Sequence, residues 1–421
     1  MKTIYHIIAI ATFGMLTAGM ASSCGSKEKK QESKNIAKDN GIKTDTALVS
    51  RLKKFADAPR PSGRFGLYVY DLTADKPVFA IDADHSQPIA SNTKLLSGVA
   101  ALHRLGTRYK YVTSIYTSGT MHKDTLCGDI SLKAGLDPQL KAEDMRMFTR
   151  ELRRQGIRHV KGKVILDLTL KEPVKAEEHW YPWDLSFSKY GILFKGPDKI
   201  KRALKQSLAA NGIATVDSQY ALAPTPRGSR CRFRFIRSID RVTERMWKNS
   251  SNTQATSLLY TLGNAVEPHN EDMASAGVDY LRNFLRNDLG LKDSTLVVHD
   301  GCGLCTHNHL SPRALGAVLI YAYKHKPIYR QLMQNLSISG VDGTLRRLIY
   351  DSRLRGKIHA KTGTLSHPYG ISSLAGYCRG TDGHELCFAL LDSEMSVLDA
   401  HVLQRNLCKV LVGVSNKRQR Q

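Results

Sequence analysis

Residues 90–102 read ASNTKLLSGVAAL, and this stretch carries the strongest indication of both fold and chemistry. The apolar run is too long for a strand and follows an extended segment, so we predict a buried helix that begins at Ser91. Lys94 stands three residues after Ser91, and residues at this spacing lie on one face of a helix. A serine attacks an amide only when its proton is removed, and a desolvated lysine amine beside it is a suitable base.

The spacing Ser-x-x-Lys is weak on its own, because it occurs four times in the chain. The pairs that begin at Ser26, Ser50 and Ser186 are typical of capping serines followed by solvated lysines. Only the pair of Ser91 and Lys94 opens an apolar helix, where burial lowers the pKa of a lysine amine. We therefore take this pair as the candidate nucleophile and base.

Two further motifs follow along the chain. Ser250-Ser251-Asn252 lies at a loop-to-helix boundary, next to a helix predicted over Lys248–Leu262. Lys361-Thr362-Gly363-Thr364 ends a predicted strand, and its glycine lets a substrate backbone approach a sheet edge. Alone, the first motif is usually a helix cap and the second a turn. Their order after Ser91 and Lys94, each in its required structural context, is a much stronger signal.

The ordered trio resembles the motifs of the penicillin-recognising serine enzymes, the β-lactamases and penicillin-binding proteins. Ser91 and Ser250 are 159 positions apart, and simple β-lactamases lack such an insertion. The chain is therefore similar to the penicillin-binding protein 4 type, the D-alanyl-D-alanine carboxypeptidases and endopeptidases of the S13 peptidase class. The supporting segments are Ala134–Leu140, Asp300–Leu304 and Gly340–Leu345.

The resemblance implies an α+β fold, a β-lactamase/transpeptidase-like domain in which an antiparallel sheet is covered by helices, interrupted by an inserted mixed α/β domain. The predicted elements agree, since helices precede and follow a run of antiparallel strands. We expect the catalytic domain at residues 46–108 and 241–421 and the inserted domain at residues 109–240. The insertion is shorter than is usual in the family, so we expect the family's third, nested domain to be reduced or absent.

The resemblance also implies roles for the site residues. Ser91 would be the nucleophile, Lys94 its base, and Ser250 would pass a proton to the leaving amine. The substrate-binding residues would be Asn252, Lys361, Thr362, Gly363 and Thr364. The substrates would be peptidoglycan stem peptides, β-lactam antibiotics would be inhibitors, and no cofactor is expected. Two alternatives stay open: a β-lactamase-type hydrolase, and a catalytically silent lipoprotein that binds peptidoglycan.

The N-terminal segment predicts export. Residues 1–23 combine an early Lys2, an apolar run and small residues directly before Cys24, as in a signal peptide. Cys24 resembles the acylated cysteine of lipoproteins, with Ala21 where leucine is usual. Residues 24–45 are polar and lysine-rich, which is typical of a flexible tether. We therefore expect a lipid-anchored protein on the periplasmic side of a bacterial cell envelope.

Composition and charge narrow the classes of partner. The chain has 421 residues, 62 Lys+Arg against 38 Asp+Glu, and 42% hydrophobic residues, which excludes wholesale disorder and a small disulfide scaffold. Positions 111–249 hold 26 basic and 15 acidic residues, so nearly half of the net charge of +24 falls there. We expect this surface to face anionic wall polymer or lipid rather than nucleic acid. The alternating segment Arg230–Arg237 predicts a strand with one basic face.

The eight cysteines give weaker indications. Without Cys24 the number is odd, so at least one thiol is expected to be free. A metal or redox function for Cys302-x-x-Cys305 is disfavoured, because no second ligand pair at zinc spacing accompanies it, and we expect no metal site. Cys378 and Cys387 face each other in a predicted hairpin, which makes a cross-strand disulfide an open alternative.

Overall fold

The structure is a computed structural model that describes residues 41–60, 62–365 and 370–414. The predicted signal segment (1–23) and the predicted lipidation site Cys24 lie outside these residues. Within them, no helix is both long enough and apolar enough to cross a membrane.

The described residues contain eleven α-helices and sixteen strands. The helices are α1 Thr46–Ala56, α2 Thr93–Leu105, α3 Met145–Arg154, α4 Pro197–Ala210, α5 Ile239–Lys248, α6 Asn252–Val266, α7 Met273–Asn283, α8 Pro312–Lys324, α9 Lys326–Asn335, α10 Leu345–Leu348 and α11 Val397–Leu411. The strands are β1 Arg64–Asp71, β2 Lys76–Ile81, β3 Gln87–Pro88, β4 Lys110–Thr117, β5 Thr120–His122, β6 Thr125–Cys127, β7 Ile130–Ala134, β8 His159–Val160, β9 Val164–Leu168, β10 Tyr220–Leu222, β11 Arg230–Ser238, β12 His309–Leu310, β13 Ser337–Ile338, β14 Ile358–Leu365, β15 Ile371–Arg379 and β16 Glu385–Ser393.

A six-stranded antiparallel sheet has the order β13-β14-β15-β16-β1-β2. Its strand β16 reads ELCFALLDS and is buried along the seven residues between its two ends. A strand without polar alternation is one that is covered on both faces. Here α1 and α11 cover one face, and α8, with α2 packed behind it, covers the other. The arrangement is α+β, as predicted.

The register of the hairpin β15-β16 decides whether Cys378 and Cys387 can form a disulfide. Cys378 stands opposite Leu386, and Cys387 stands opposite Tyr377, so the two cysteines are one residue out of register. A shift of one residue places side chains on opposite faces of a sheet. Cys378 lies in the apolar core beneath α1 and α11, whereas Cys387 lies in the core on the other face. This register excludes the alternative of a disulfide between them, and the seven cysteines of the described residues are free thiols.

A second, five-stranded sheet takes all its strands from the chain between α2 and α5, in the order β10-β9-β7-β4-β11. It is mixed, because β9 pairs in parallel with β7 and β10 while the other pairs are antiparallel. One continuous apolar core joins this region to α2, α5 and α6. The domain boundaries at 109 and 240 stay a prediction.

The chain breaks between α5 and α6 at the second motif. The predicted helix over Lys248–Leu262 begins instead at Asn252, and residues up to Lys248 belong to the separate helix α5. Ser250 has φ of 56°, a left-handed conformation that ends helical continuity and is uncommon for a residue with a side chain. Ser251 then caps α6 by accepting the Gln254 N–H. This break projects Ser250 and Asn252 from the start of α6.

Candidate active site

Ser91 lies in a single 3₁₀ turn directly before α2. The preceding Ala90 has φ of 47°, a strained value for alanine. The turn fits because Gly303 lies against it: a β-carbon on Gly303 would stand 1.9 Å from the Ala90 carbonyl oxygen. Asn92 ties the other side of the turn to β15 by donating to Ser373 Oγ at 2.7 Å. The Ser91 hydroxyl is therefore presented from a turn clamped on both sides.

Lys94 Nζ lies within hydrogen-bonding distance of three oxygens: Ser91 Oγ at 2.9 Å, Asn252 Oδ1 at 2.7 Å and the Cys302 carbonyl at 2.5 Å. An ammonium group has three N–H donors, and a neutral amine has two donors and one lone pair. The oxygens of Asn252 and Cys302 can only accept. When the amine is neutral, they take its two N–H groups, and the lone pair is left for the Ser91 hydroxyl proton.

The surroundings of Lys94 shift its amine toward the neutral form. Its side chain is fully buried, and the indole Nε1 of the fully buried Trp247 donates to the Lys94 backbone carbonyl at 2.7 Å. Burial lowers the pKa of Lys94 to about 8, although Cys302 and Asp300 act in the opposite direction. A base of this strength is appreciably deprotonated near neutral pH.

A second buried amine holds the second serine. Lys361 Nζ donates to Ser250 Oγ at 2.8 Å and to the Thr362 carbonyl at 2.5 Å. Burial, together with the charge of nearby Lys94, holds the pKa of Lys361 well below its usual value. The structure thus brings together the three motifs of the sequence. Lys94 is hydrogen-bonded to Ser91, and Lys361 is hydrogen-bonded to Ser250.

The third motif lies on β14 at a free sheet edge. Up to Ala360, β14 pairs with β13 on one side and β15 on the other, but among the described residues no strand continues β13 beside residues 361–365. Thr362 Oγ1 donates to Thr344 Oγ1 at 2.9 Å, and the side chain of Thr364 is exposed. An unpaired edge of this kind can accept an extended peptide as an added strand.

Gly363 has no space for a side chain. A β-carbon there would lie 2.2 Å from Ser373 Oγ and 2.6 Å from the Ile89 carbonyl oxygen, in the segment that leads to Ser91. We expect Gly363→Ala to displace the Ser91 turn and to slow acylation by a fluorescent penicillin at least about 100-fold. Gly383→Ala is the control, because a β-carbon on Gly383 would meet nothing within 4 Å, although its φ of 85° disfavours alanine by itself. Equal acylation rates in the two variants would contradict this account.

The loop Asp300–Cys305 supplies a part of the site that the sequence analysis assigned no role. The buried Asp300 carboxylate accepts the backbone N–H groups of four loop residues, which are Cys302, Gly303, Leu304 and Cys305. It also accepts the indole N–H of Trp180 at 2.7 Å. These hydrogen bonds hold the Cys302 carbonyl against Lys94 Nζ. The signal in the sequence was the segment Asp300–Leu304 itself, but not which atom of it faces the lysine.

Two buried lysines, each bonded to a serine hydroxyl beside the free edge of an antiparallel sheet, define the class of the penicillin-recognising serine enzymes. Within that class, the D-Ala-D-Ala carboxypeptidase 3 (S13) family matches this sequence over residues 48–191 and 193–412. The chain belongs to this family. The resemblance and the enzyme class predicted from the sequence are thereby confirmed.

Individual relatives of this chain carry names that agree with the family assignment. The chain is 21% identical over 389 residues to the D-alanyl-D-alanine carboxypeptidase DacB of Haemophilus influenzae, covering 71% of this chain and 79% of that protein. It is 28% identical over 119 residues to the D-alanyl-D-alanine carboxypeptidase of Actinomadura sp. (strain R39), covering 28% of this chain and only 22% of that protein.

Solved structures show the same fold. Penicillin-binding protein 4 of H. influenzae superposes with a TM-score of 0.72 at 18% identity, covering 85% of this chain and 98% of that one. A predatory endopeptidase of Bdellovibrio bacteriovorus, solved acylated by penicillin G, superposes with a TM-score of 0.53 at 16% identity, covering 82% and 90%. The predicted fold class is confirmed.

Proposed function

We propose that this chain hydrolyses peptidoglycan stem peptides or cross-links next to a D-alanine, through an acyl-enzyme on Ser91. The observation that carries the proposal is the contact set of Lys94 Nζ, whose two obligate acceptors leave its lone pair for Ser91 Oγ. Family membership supports the same activity.

Acylation begins with proton transfer. Neutral Lys94 takes the hydroxyl proton while Ser91 Oγ attacks the carbonyl carbon of the penultimate D-alanine, and the carbonyl electrons move onto its oxygen. The backbone N–H groups of Ser91 and Thr364 form the oxyanion hole, and each such donor contributes about 3 kcal/mol to stabilisation of the transition state.

The leaving amine departs from the side of the second serine. Ser250 Oγ, hydrogen-bonded to Lys361 at 2.8 Å, gives its proton to the amine as the C–N bond breaks. The Lys361 ammonium returns a proton to Ser250 Oγ, and the proton that Lys94 took from Ser91 replaces the one that Lys361 gives up. Asn252 orients the substrate amide. Lys361 and Thr362 bind the terminal carboxylate, whose negative charge raises the pKa of Lys361 and restores its ammonium form. A water molecule then attacks the acyl carbonyl carbon while neutral Lys94 takes one of its protons, and Lys94 returns that proton to Ser91 Oγ as the ester bond breaks.

The same residues accommodate a β-lactam ring, whose amide lies where the substrate amide lies. The Bdellovibrio relative acylated by penicillin G supports this reading for the present chain. The alternative of a β-lactamase differs in the fate of the acyl-enzyme, which it hydrolyses rapidly. The alternative of a silent binding protein is disfavoured by the intact contacts of Ser91, Lys94, Ser250 and Lys361.

The proposed place of action is the cell envelope, where a lipid on Cys24 would anchor the protein. The strand β11, Arg230–Ser238, stands at the edge of the five-stranded sheet and carries four arginines, of which Arg230 and Arg234 are exposed while Arg237 is paired with Asp137. Exposed cationic side chains on an edge strand prevent strand pairing with other chains. They also favour an anionic neighbour, so this edge is the part of the inserted region that we place toward wall polymer or lipid.

Product analysis tests the activity directly. Purified protein is incubated with a stem pentapeptide and with cross-linked muropeptides, and the products are read by mass spectrometry. We expect loss of one D-alanine from the pentapeptide, conversion of dimers to monomers, or both, and neither product with Ser91→Ala. A wild-type protein that forms neither product while turning penicillin over rapidly would establish the β-lactamase alternative instead.

A further inference from the structure

A group of side chains that can bind a metal ion lies beside the Asp300–Cys305 loop, apart from the catalytic lysines and serines. Glu177, His179, His299 and Cys305 bring one oxygen, two nitrogens and one sulfur to within 4.8 Å of one another. Glu177 Oε1 lies 2.6 Å from His179 Nδ1 and 3.7 Å from His299 Nδ1. A further imidazole, that of His307, borders the group with its ring centroid 4.5 Å from that of His179.

The donor set matches one class of ligand. Imidazole nitrogen, thiolate sulfur and carboxylate oxygen are the ligands that Zn²⁺ takes in proteins, in tetrahedral sets of four. Bonds of about 2.0–2.3 Å place such ligands about 3.3–3.8 Å apart. Shifts of about 1 Å from the described positions form the set: the more distant ligand atoms move together, and Glu177 Oε1 and His179 Nδ1, which lie 2.6 Å apart, separate. Cys305 is buried while His179 is exposed, which gives the site both a fixed inner ligand and an open side for entry of the ion.

We propose that Glu177, His179, His299 and Cys305 form a Zn²⁺ site, contrary to the expectation of no metal from the sequence. On binding, the Cys305 thiol loses its proton to solvent, the two imidazoles bind as neutral rings, and the carboxylate supplies the fourth ligand. Cys302 is not part of the set, because its sulfur lies toward Asp300 Oδ2 at 3.6 Å. The pair Cys302-x-x-Cys305 therefore contributes one ligand, not two.

The site would connect two segments that are far apart in the sequence. Glu177 and His179 precede Trp180, whose indole N–H reaches Asp300, and His299 and Cys305 flank the loop that Asp300 organises. A bound ion would cross-link both segments beside that carboxylate. Since the loop holds the Cys302 carbonyl against Lys94, we assign the ion a positioning role rather than a catalytic one.

Direct binding of Zn²⁺ tests the site without reference to enzyme activity. Titration calorimetry and metal analysis of the purified full-length protein are expected to give one high-affinity ion per chain. Cys305→Ser and His179→Ala should each weaken binding at least about 100-fold, more than the loss of an outer partner does. His307→Ala should weaken it by about 10-fold or less. The matched controls are the exposed residues changed in Cys127→Ser and His122→Ala, which should bind as the parent does.

Two further measurements separate loss of the site from loss of the fold. Zn²⁺ should raise the melting temperature of the parent and of both controls, but not of Cys305→Ser or His179→Ala, whose metal-free melting should match the metal-free parent. Co²⁺ in place of Zn²⁺ should give a thiolate charge-transfer absorption that Cys305→Ser lacks. Absence of stoichiometric Zn²⁺ binding in the parent, or unchanged binding in the double variant Cys305→Ser/His179→Ala, would overturn the proposal.

Discussion

Replacing Ser91 by alanine is expected to abolish acylation by a fluorescent penicillin, with a rate at least about 10⁴-fold below the parent. The loss is this large because the acyl bond forms on Ser91 Oγ itself, so no neighbouring group can substitute for it. Ser250 is hydrogen-bonded to Lys361 and, in the proposed reaction, gives its proton to the leaving amine, so it does not replace Ser91 as the nucleophile. Labelling is read on a gel against protein concentration, and covalent mass is confirmed by intact mass spectrometry.

The chain supplies a matched control for this prediction. Ser50 and Lys53 have the same Ser-x-x-Lys spacing on α1, but both side chains are exposed. Ser50→Ala should label as the parent does, which would show that the environment of Lys94, and not the spacing, makes the nucleophile. Labelling retained in Ser91→Ala, or lost in Ser50→Ala, would exclude the assignment.

The sequence predicts the proximity of Ser91 and Lys94 because local geometry decides it. Ser91 and Lys94 are three positions apart across the 3₁₀ turn and the first turn of α2, so they are neighbours whatever the rest of the chain does, and the apolar run after them determines that Lys94 is buried. Strand β16 is recognisable for a similar reason, because a run of seven buried residues fits a strand covered on both faces.

Prediction failed where the outcome depends on one residue of register or of backbone conformation. The cysteines at 378 and 387 would face each other in a hairpin whose paired positions were shifted by one, and nothing in either strand determines that shift. Likewise, the left-handed conformation of Ser250 separates α5 from α6. The periodicity of apolar residues carries no information about the φ angle of one residue, so the sequence predicted one continuous helix there.

Long-range convergence is the other source of what was missed. The proposed zinc ligands come from positions 177–179 and 299–305, and the irregular segment that carries the first pair has no periodicity to place it. The indole of Trp180 reaches Asp300 across 120 positions of sequence. Such contacts follow from how the two segments pack, so spacing rules for metal ligands could not find them.

The second large effect concerns the charge of Lys94. We expect the acylation rate of the parent to rise with pH up to about 8 and then level, because only the neutral amine accepts the Ser91 proton. Below that pKa the neutral fraction falls tenfold for each pH unit, so the rate at pH 6 should be about 100-fold below the plateau. Pre-steady-state labelling with a chromogenic penicillin at pH 6 to 9 measures the profile.

The same shift changes stability with a definite sign. The pKa of Lys94 is about 8 in the folded chain and 10.5 in the unfolded chain. Between these values the unfolded chain holds more protons, so the free energy of unfolding contributed by this group rises with pH across that window. At neutral pH this lysine is fully protonated in the unfolded chain. Burial of its amine therefore lowers the free energy of unfolding by about 3 kcal/mol. Lys94→Met removes this cost and its pH dependence while also removing the base.

Two substitutions separate the base from the charge. Lys94→Arg keeps a cation that stays protonated and therefore cannot accept a proton, so acylation should fall at least about 10³-fold at every pH. Lys94→Met should lose as much activity but melt at a higher temperature than Lys94→Arg, because no charge is buried. Lys53→Met, an exposed change, should alter neither property. A parent rate that stays constant from pH 6 to 9, or a Lys94→Arg variant with a normal profile, would show that another group removes the Ser91 proton.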